Sequence, residues 1–342
     1  MASQLDIQSQ YSLRALNTFG IDAKAAYYLE VTDMAQLHAL YSDPSLRTMP
    51  RLVLGGGSNL LLTKDFSGLV LHIATQGIAI TGEDGQQVFV TAQAGENWHA
   101  FVQWTLAQGL PGLENLSLIP GNVGASPIQN IGAYGSELVD FFHSLTAFDM
   151  TSGELLHLSK ADCAFAYRDS VFKDALRDRA IILEVRFALP KAWQPNLRYA
   201  ELAAELASRG ITKPNAQDIA DAVITIRTRK LPDPAKVGNA GSFFKNPVVS
   251  AEQRNSLLAQ YPALVSFQQA DGRYKLAAGW LIDQCGWKGK SIGAAGVHEN
   301  QALVLVNRGG ASGADLLHLA NKIRDDVNAR YGVTLEPEPV IV

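Results

Sequence analysis

The sequence predicts an α+β protein, because short strand-like apolar runs alternate with segments of helical periodicity. The chain has 342 residues, of which 47% are hydrophobic and 18% charged. That composition allows two or three domains, each with its own core. The clearest helical pattern lies at 314–331, with Ser312 near its start and Gly332 just past its end. These observations favour a mixed architecture over an all-β one.

Strands separated by helices are predicted in the first half. Clusters of apolar and β-branched residues predict the strands at 27–31, 51–54, 68–73, 87–91 and 181–187. Residues 33–41 show helical spacing, with Thr32 as the expected N-cap. A further helix is expected between 96 and 108, ended by Gly109. Breakers and polar residues at 208–215 suggest the internal domain boundary.

Charge and cysteine usage exclude several functional classes. A net charge of -4 and a sequence pI near 6.0 argue against a general nucleic-acid binder, which needs a basic face. Cys163 and Cys285 lack the spacing of a metal site or a redox pair, so we expect ordinary buried thiols and no metal. A signal sequence and a membrane-spanning run are not recognisable, so we expect a cytoplasmic protein without membrane contact.

A glycine-rich turn follows the predicted strand at 51–54. It reads Gly55-Gly56-Gly57-Ser58-Asn59, and such a turn can direct several backbone N–H groups at an anion. It is neither a Walker loop nor the spaced dinucleotide fingerprint. A tight structural turn explains the pattern at least as well.

The segment 119–135 contains seventeen residues without a charge. Backbone amides of Gly121, Gly124 and Ser126 can cradle a diphosphate. Three further side chains can flank a flat apolar ring system, namely Ile128, Ile131 and Tyr134. Long loops without regular structure are usually functional. The alternative is a buried irregular loop whose amides satisfy one another.

The segment 238–247 suggests a proton donor in a built pocket. Ser242 follows two glycines and an alanine and precedes two phenylalanines, which can exclude water. Lys245 or Asn246 can lower the cost of polarising the Ser242 hydroxyl. A glycine turn followed by a buried strand is the alternative.

Six motifs in order resemble the UDP-N-acetylenolpyruvoylglucosamine reductases, the MurB family, in its longer type I class. The motifs are 55–59, 119–135, 167–170 with Phe172-Lys173, 231–234, 238–247 and 335–338. The resemblance spans nearly the whole chain. One departure lies in the second motif, where Asn122 and Ala125 stand at positions that often carry small hydroxyl or thiol residues in relatives.

The resemblance implies a flavoenzyme of peptidoglycan precursor synthesis. It implies noncovalent FAD, NADPH as co-substrate, and reduction of the enolpyruvyl ether of a UDP-sugar to a lactyl ether, giving UDP-N-acetylmuramate. The implied fold is a two-part FAD-binding region of the vanillyl-alcohol-oxidase/PCMH type over 1–213, with subdomains of about 1–75 and 76–213. A smaller α+β substrate-binding domain is expected over 214–342, with its C-terminus returning to the active site. A monomer is expected.

The resemblance also implies roles for individual residues. Arg168 would bind the substrate carboxylate, Ser242 would donate the proton, and Glu338 would be the remaining catalytic acid. Glu338 is preferred to Glu336 because it is the second acid of the Leu-Glu-Pro-Glu pattern. The residues implied for FAD are Gly55, Gly56, Gly57, Ser58, Asn59, Pro120, Gly121, Gly124, Ser126, Ile128, Ile131, Gly132 and Tyr134. Those implied for the UDP-sugar are Tyr167, Tyr199, Lys230, Asn246 and Gln301.

Two other functions remain open from the sequence. One is an FAD-dependent oxidase of the same superfamily, which would oxidise an alcohol and consume oxygen. The other is a non-catalytic binder of nucleotide-sugars. The residue types at Arg168, Ser242 and Glu338 favour the reductase over both.

Overall fold

The protein divides into two compact units in the computed structural model, which describes residues 5–342. The first unit comprises 5–11, 25–57 and 66–229, and the second comprises Ser12–Lys24, Ser58–Asp65 and Lys230–Val342. Each unit is therefore assembled from separate stretches of the chain. The functional division at 213/214 stays a prediction.

Helices and strands alternate along the described chain, as the α+β class predicts. The helices are α1 (Met34–Ser42), α2 (Pro44–Arg47), α3 (Trp98–Ala107), α4 (Ala200–Ser208), α5 (Ala216–Lys230), α6 (Ala251–Gln260), α7 (Ala278–Gln284) and α8 (Gly313–Tyr331). The strands are β1 (Gln8–Ser12), β2 (Lys24–Val31), β3 (Arg51–Leu54), β4 (Leu60–Leu61), β5 (Phe66–Ile73), β6 (Ile78–Glu83), β7 (Gln87–Gln93), β8 (Gly132–Ala133), β9 (Ser136–Glu137), β10 (Phe142–Asp149), β11 (Leu155–Ser159), β12 (Ala180–Pro190), β13 (Gly238–Ser242), β14 (Val248–Val249), β15 (Ser266–Gln268), β16 (Tyr274–Leu276), β17 (Ser291–Ile292), β18 (Ala295–Val297), β19 (Val304–Asn307) and β20 (Val340–Ile341).

The first unit is built on two large sheets. One has the strand order β1-β2-β5-β3, with β5 parallel to both β2 and β3. The other has the order β11-β10-β12-β7-β6, and its strands are antiparallel. Trp98 and Phe101 of α3 pack against Phe187 of β12, with ring centroids 6.0 and 4.8 Å away. Burial of these rings supplies much of the apolar stabilisation of this core.

The helices α4 and α5 form a separate apolar cluster in the first unit. Its buried members are Leu202, Leu206, Ile219, Ala222, Val223 and Ile226. Tyr134, Trp193, Leu197 and Ile211 pack against them. The breaker-rich residues at 208–215 therefore form the turn between two packed helices.

The second unit is centred on the antiparallel sheet β13-β19-β18-β17, and α8 packs on it. Ser312 caps α8 by accepting a hydrogen bond from the Asp315 N–H (3.2 Å). Gly332 ends the helix in the left-handed conformation, with φ of 63°. The buried stripe is Leu316, Ala320, Ile323, Val327 and Tyr331. These features confirm the C-terminal helix that the sequence predicts.

Two short stretches from the N-terminal half are built into the second unit. The Phe19 carbonyl accepts a hydrogen bond from Nδ2 of Asn307 (3.0 Å), and a Cβ added at Gly238 would lie 2.2 Å from the same oxygen. The strand β4 runs parallel to β20. A Cβ at Gly313 would lie 1.8 Å from the Leu62 carbonyl oxygen. The sheet and α8 of this unit thus pack directly on backbone from 12–24 and 58–65.

Two details differ from the expectations. Asp33, not Thr32, caps α1, because its carboxylate accepts from the Gln36 N–H (3.0 Å) while Oε1 of Gln36 accepts from the Asp33 N–H (3.2 Å). Cys163 is buried as expected, and burial raises the pKa of its thiol to about 12, but Cys285 is only partly buried. Of the described helices, none is long and apolar enough to cross a membrane.

Candidate active site

The two uncharged loops expected at the cofactor come into contact in the first unit. A Cβ added at Gly56 would lie 2.7 Å from Oδ1 of Asn122 and 3.0 Å from Cα of Gly121. Gly57 has a φ of 57°, which favours glycine. A side chain at Gly56 would therefore crowd the Asn122 amide and press on the Gly121 backbone. Glycine at this position allows the two loops to approach closely.

Two of the three amides expected to cradle a diphosphate in the second loop already donate to protein carbonyls. The Gly124 N–H donates to the Ala94 carbonyl (2.9 Å), and the Ser126 N–H donates to the Val123 carbonyl (3.0 Å). Gly124 serves close packing instead, because a Cβ there would lie 2.5 Å from that of Ala94. The N–H groups of Gly56, Gly121 and Asn122 donate to no acceptor among residues 5–342. These three are the donors available to a bound diphosphate.

Three residues in and beside the second loop adopt a left-handed backbone conformation without being glycine. Leu118, Asn130 and Tyr134 have φ values of 57°, 45° and 49°. This conformation is uncommon outside glycine and persists where the surroundings fix it. Asn130 shows how: its Oδ1 accepts from the Val139 N–H (3.0 Å), and its Nδ2 donates to Glu137 (2.9 Å). Hydrogen bonds of this kind fix the backbone conformation of the loop.

The loop exposes part of its apolar side chains. Ile128 is 36% exposed, Ile131 and Tyr134 are partly buried, and Pro120 is exposed. Donors for a diphosphate and apolar contacts for a ring thus come from one loop, as a dinucleotide cofactor such as FAD requires.

Arg168 is held against this loop. Its Nη2 donates to the Gly132 carbonyl (2.7 Å), and a Cβ added at Gly132 would lie only 3.1 Å from Nη1. The backbone of Arg168 is left-handed (φ of 55°), and its carbonyl accepts from Nζ of Lys173 (2.9 Å). The guanidinium carbon lies 5.3 Å from the Tyr167 ring centroid. The structure thus brings Tyr167, Arg168 and Gly132 together.

A cationic side chain that the sequence analysis missed lies at the other end of the loop. Nε of Arg227 donates to the Leu118 carbonyl (3.2 Å), and the guanidinium lies near enough to the Tyr134 hydroxyl to interact with it electrostatically. Burial raises the pKa of Tyr134 to about 12, although Arg227 opposes that shift. The Tyr199 ring meets Tyr134 edge-on at 5.0 Å. The sequence did carry a signal for this residue: Arg227 lies one helical turn after the buried Val223, on the apolar side of α5, where a charged side chain is unexpected.

In the second unit, Ser242 ends β13 at an irregularity in the sheet. The pairing of β13 with β19 shifts register between Asn239 and Ser242, and Gly241 is left-handed with a φ of 67°. Oδ1 of Asn239 fixes this bulge by accepting from the Gly241 N–H (2.9 Å). The Ser242 hydroxyl is partly exposed and makes no hydrogen bond within the described chain. It is available to a ligand.

Glu338 is fixed beside this strand by backbone hydrogen bonds. Its N–H donates to the Phe243 carbonyl (2.8 Å), and its carbonyl accepts from Nδ2 of Asn59 (3.3 Å). The Glu336 side chain is 73% exposed and pairs with Nζ of Lys245 at 3.4 Å. Lys245 is thereby engaged by the acid that the sequence analysis set aside. Ser58 and Asn59 both belong to this second unit.

The remaining expected substrate residues lie at two helix ends. Asn246 accepts from the Ala278 N–H at the start of α7 (2.9 Å). Oε1 of Gln301 would lie 3.3 Å from a Cβ at Gly279, in the first turn of the same helix. Lys230 is the last residue of α5. The structure therefore places Asn246 and Gln301 together at the N-terminus of α7.

Comparison with known proteins decides the family. Residues 233–342 match the model for the C-terminal domain of UDP-N-acetylenolpyruvoylglucosamine reductase, and residues 25–159 match an FAD-binding domain model. The reductase of Ralstonia nicotianae is 57% identical over 339 residues, covering 98% of this chain and 99% of that protein. The reductase of Burkholderia mallei is 57% identical over 340 residues, covering 99% and 98%. The chain belongs to the UDP-N-acetylenolpyruvoylglucosamine reductase family.

Solved structures show the same fold. The reductase (MurB) from Thermus caldophilus aligns over 99% of this chain and 98% of its own, with a TM-score of 0.69 and 23% identity. A p-cresol methylhydroxylase aligns over 95% and 83%, with a TM-score of 0.51 and 11% identity. These likenesses and the FAD-binding domain confirm the predicted fold class.

As a member of this reductase family, the chain is an FAD-containing oxidoreductase with NADPH as co-substrate. It reduces UDP-N-acetylglucosamine enolpyruvate to UDP-N-acetylmuramate in peptidoglycan precursor synthesis. The predictions of family, cofactor and reaction are confirmed.

Proposed function

We propose that Arg168, Ser242 and Glu338 carry out the chemistry of this reductase. FAD, held by the loops at 55–57 and 119–135, would supply the hydride for the terminal carbon of the enolpyruvyl group, with NADPH as the source of that hydride. The conformation of Arg168 carries the proposal. Its backbone is left-handed and its side chain is held at Gly132 against the loop 119–135, here called the FAD loop. A non-glycine residue adopts this backbone conformation only at an energetic cost. Such strain is typical of functional sites.

Arg168 stabilises the charge that develops on the substrate carboxylate. A guanidinium binds a carboxylate through two parallel hydrogen bonds, and that contact strengthens as negative charge accumulates. The Gly132 carbonyl and Lys173 fix the orientation of Arg168 before substrate arrives.

Ser242 gives the proton to the carbon beside the carboxylate. A hydroxyl without a hydrogen-bond partner among residues 5–342, fixed on a bulge, suits a donor to a strongly basic carbon. Glu338, anchored by its backbone to Phe243, hydrogen-bonds the developing enol. The preference for Glu338 over Glu336 gains support from the Lys245 pair of Glu336.

The FAD contacts come from the two glycine loops. The N–H groups of Gly56, Gly121 and Asn122 would hold the diphosphate, and Ile128, Ile131 and Tyr134 would flank apolar parts of the cofactor. The close approach at Gly56 supports this assignment. The other proposed cofactor contacts are Gly55, Gly57, Ser58, Asn59, Pro120, Gly124, Ser126 and Gly132. The proposed UDP-sugar contacts are Tyr167, Tyr199, Lys230, Asn246 and Gln301.

Residues 1–213 would serve FAD binding, with subdomains of about 1–75 and 76–213, and residues 214–342 would serve substrate binding. We further propose that the enzyme is a cytoplasmic monomer acting on a UDP-sugar and NADPH. Sedimentation of the purified protein would test the oligomeric state.

Anaerobic half-reactions test the roles. Ser242→Ala should leave NADPH-to-flavin transfer within about twofold but slow flavin reoxidation by the enolpyruvyl substrate by about 10²- to 10⁴-fold. Stopped-flow absorbance of the flavin measures both steps. Ser9→Ala, on exposed β1, is the control and should alter neither step. Equal loss of both half-reactions in Ser242→Ala would refute proton donation by Ser242.

A further inference from the structure

Residues 193–199, here called the strap, connect β12 to α4 and end at Tyr199, the residue before α4. The strap has no regular secondary structure over 193–198. It is nevertheless attached to the rest of the first unit at several points, by polar contacts and by apolar packing.

The first attachment is a buried carboxylate. Glu114 is 2% exposed, and its Oε1 accepts from Nε1 of Trp193 (2.7 Å) while its Oε2 accepts from the Gly112 N–H (2.6 Å). A buried carboxylate that loses a donor bears the full desolvation penalty. Loss of the Trp193 donor therefore carries an energetic cost, so Glu114 anchors this end of the strap.

The second attachment is a pair of asparagines. Nδ2 of Asn115 donates both to the Tyr134 carbonyl (2.9 Å) and to the Asn196 carbonyl (3.0 Å). In return, Nδ2 of Asn196 donates to the Gly135 carbonyl and to Oγ of Ser136 (both 2.9 Å). A single buried amide thus links the strap to the loop that carries Tyr134.

Apolar packing joins the same partners. Trp193, Leu197 and Tyr134 all pack against the α4–α5 cluster. The Tyr199 ring, 41% exposed, then meets Tyr134 edge-on at 5.0 Å. The position of Tyr199 is therefore set by the strap on one side and by the FAD loop on the other.

We propose that Glu114 and Trp193 are positioning residues for the UDP-sugar. They anchor the strap to the rest of the first unit, so that Tyr199 is held beside Tyr134, where it can contact the UDP-sugar. This inference rests on the substrate contact proposed for Tyr199. Neither Glu114 nor Trp193 touches the reacting atoms.

The experiment deletes the Trp193 donor while keeping an aromatic ring. Trp193→Phe should raise KM for the UDP-sugar about tenfold, the effect of losing one hydrogen bond to a charged group. The kcat and the NADPH-to-flavin rate should stay within about twofold, since the FAD loop keeps its other contacts. Trp287→Phe is the matched control, because Nε1 of Trp287 also donates to a carboxylate, that of Asp326 at 2.9 Å, in the second unit. Its KM should not change.

Trypsin supplies a readout that does not depend on substrate. Cleavage after Arg198, whose Nη2 donates to the Gly135 carbonyl at 3.0 Å, should be faster in Trp193→Phe. An unchanged cleavage rate would show that Trp193 does not anchor the strap. Faster cleavage with unchanged KM, or a fall in kcat in place of a rise in KM, would overturn positioning of the substrate.

Two further variants separate the possible failures. Glu114→Gln should raise KM in the same direction, and its effect should not add to that of Trp193→Phe, because both remove one interaction. Additive effects would overturn the pairing. If Tyr199→Phe leaves KM unchanged while cleavage in Trp193→Phe is faster, the proposed contact of Tyr199 is wrong and the inference falls with it.

Discussion

At the scale of single residues, Gly132 shows how tightly Arg168, the arginine proposed to bind the substrate carboxylate, is held. A Cβ at this position would lie 3.1 Å from Nη1 of Arg168 and 3.0 Å from Cγ of Glu137. Gly132→Ala should displace the guanidinium and slow flavin reoxidation by substrate about 10- to 100-fold, since small misplacements at a reacting centre are costly. Anaerobic stopped-flow measures this step. Gly85→Ala, with open space around the new methyl group, is the control. An unaltered rate in Gly132→Ala would show that Arg168 does not need this position.

A second prediction concerns the buried carboxylate of Asp149. Arg179 hydrogen-bonds it through Nε and Nη2 and holds its pKa well below the ordinary value. Because the folded-state pKa is depressed, the stabilisation is present above the unfolded-state pKa of about 3.9 and is lost as the pH falls below it. Arg179→Met should therefore reduce the free energy of unfolding by about 1–3 kcal/mol at pH 7 and by less near pH 3.

Urea denaturation at both pH values measures this difference. Arg177→Met is the matched control. Arg177 forms an ion pair with Asp178, and the two side chains are 66% and 80% exposed, so this pair contributes little to stability. A loss for Arg179→Met that is the same at both pH values would contradict the assignment to Asp149 ionisation.

Candidate residues could be chosen from the sequence where a motif carries them, and their roles stay predictions. Arg168, Ser242 and Glu338 stand in recognisable patterns, and the structure gives each a fixed local setting. Their supporting residues were not predictable. Lys173 supports a backbone carbonyl, Asn115 bridges two distant loops, and Arg227 reaches back across more than a hundred positions to Leu118. Such partners are set by tertiary structure, which sequence spacing does not reveal.

At the scale of elements, the contact between the two glycine loops predicts a difference between neighbouring glycines. Gly56→Ala places a methyl group 2.7 Å from Oδ1 of Asn122, whereas Gly55→Ala places one at an ordinary 3.6 Å from Cβ of Asn122. Gly56→Ala should weaken FAD binding by at least about tenfold, equivalent to roughly 1.4 kcal/mol. Gly55→Ala should weaken it much less.

Titration of the apoprotein with FAD, followed by quenching of flavin fluorescence, measures both affinities. Equal affinities for the two variants would show that the loops can separate without harm to the cofactor site.

Elements were predictable where the sequence carries its own start and stop signals. Ser312 and Gly332 bracket α8 because a hydroxyl cap and a left-handed glycine act locally. The α1 cap was misplaced by one residue because Thr32 and Asp33 are both good caps, and only Asp33 has Gln36 three positions on. The 119–135 loop was less predictable, because the Gly124 N–H donates to the Ala94 carbonyl and the Val123 N–H donates to the Glu96 carbonyl. Some of its amides therefore bond to residues outside the motif, which the motif itself does not reveal.

At the scale of the whole molecule, the second unit depends on stretches far from it in sequence. Phe19 and Leu62 supply the backbone against which Gly238 and Gly313 pack. A fragment of residues 230–342 should therefore fail to fold, because it exposes that surface and lacks β4 beside β20. Near-ultraviolet circular dichroism and urea denaturation check this against the intact chain. Cooperative unfolding of the fragment would show that 12–24 and 58–65 are dispensable.

This interleaving was not predictable from composition. Breakers at 208–215 indicate a turn, but a turn between two packed helices and a linker between units have the same composition. The α+β class was predictable because it depends on periodicity alone. The assignment of 12–24 and 58–65 to the second unit depends on long-range backbone contacts.

The three consecutive glycines also mark one of the places where the chain passes from one unit to the other, between Gly57 and Ser58. Recombination with another flavoprotein at a single breakpoint would leave behind one or both of the short inserted stretches. A chimera that exchanges the second unit must therefore carry residues 12–24 and 58–65 along with 230–342. Modular exchange of this unit between flavoproteins is correspondingly restricted, and the glycine stretch must be inherited with both neighbours intact.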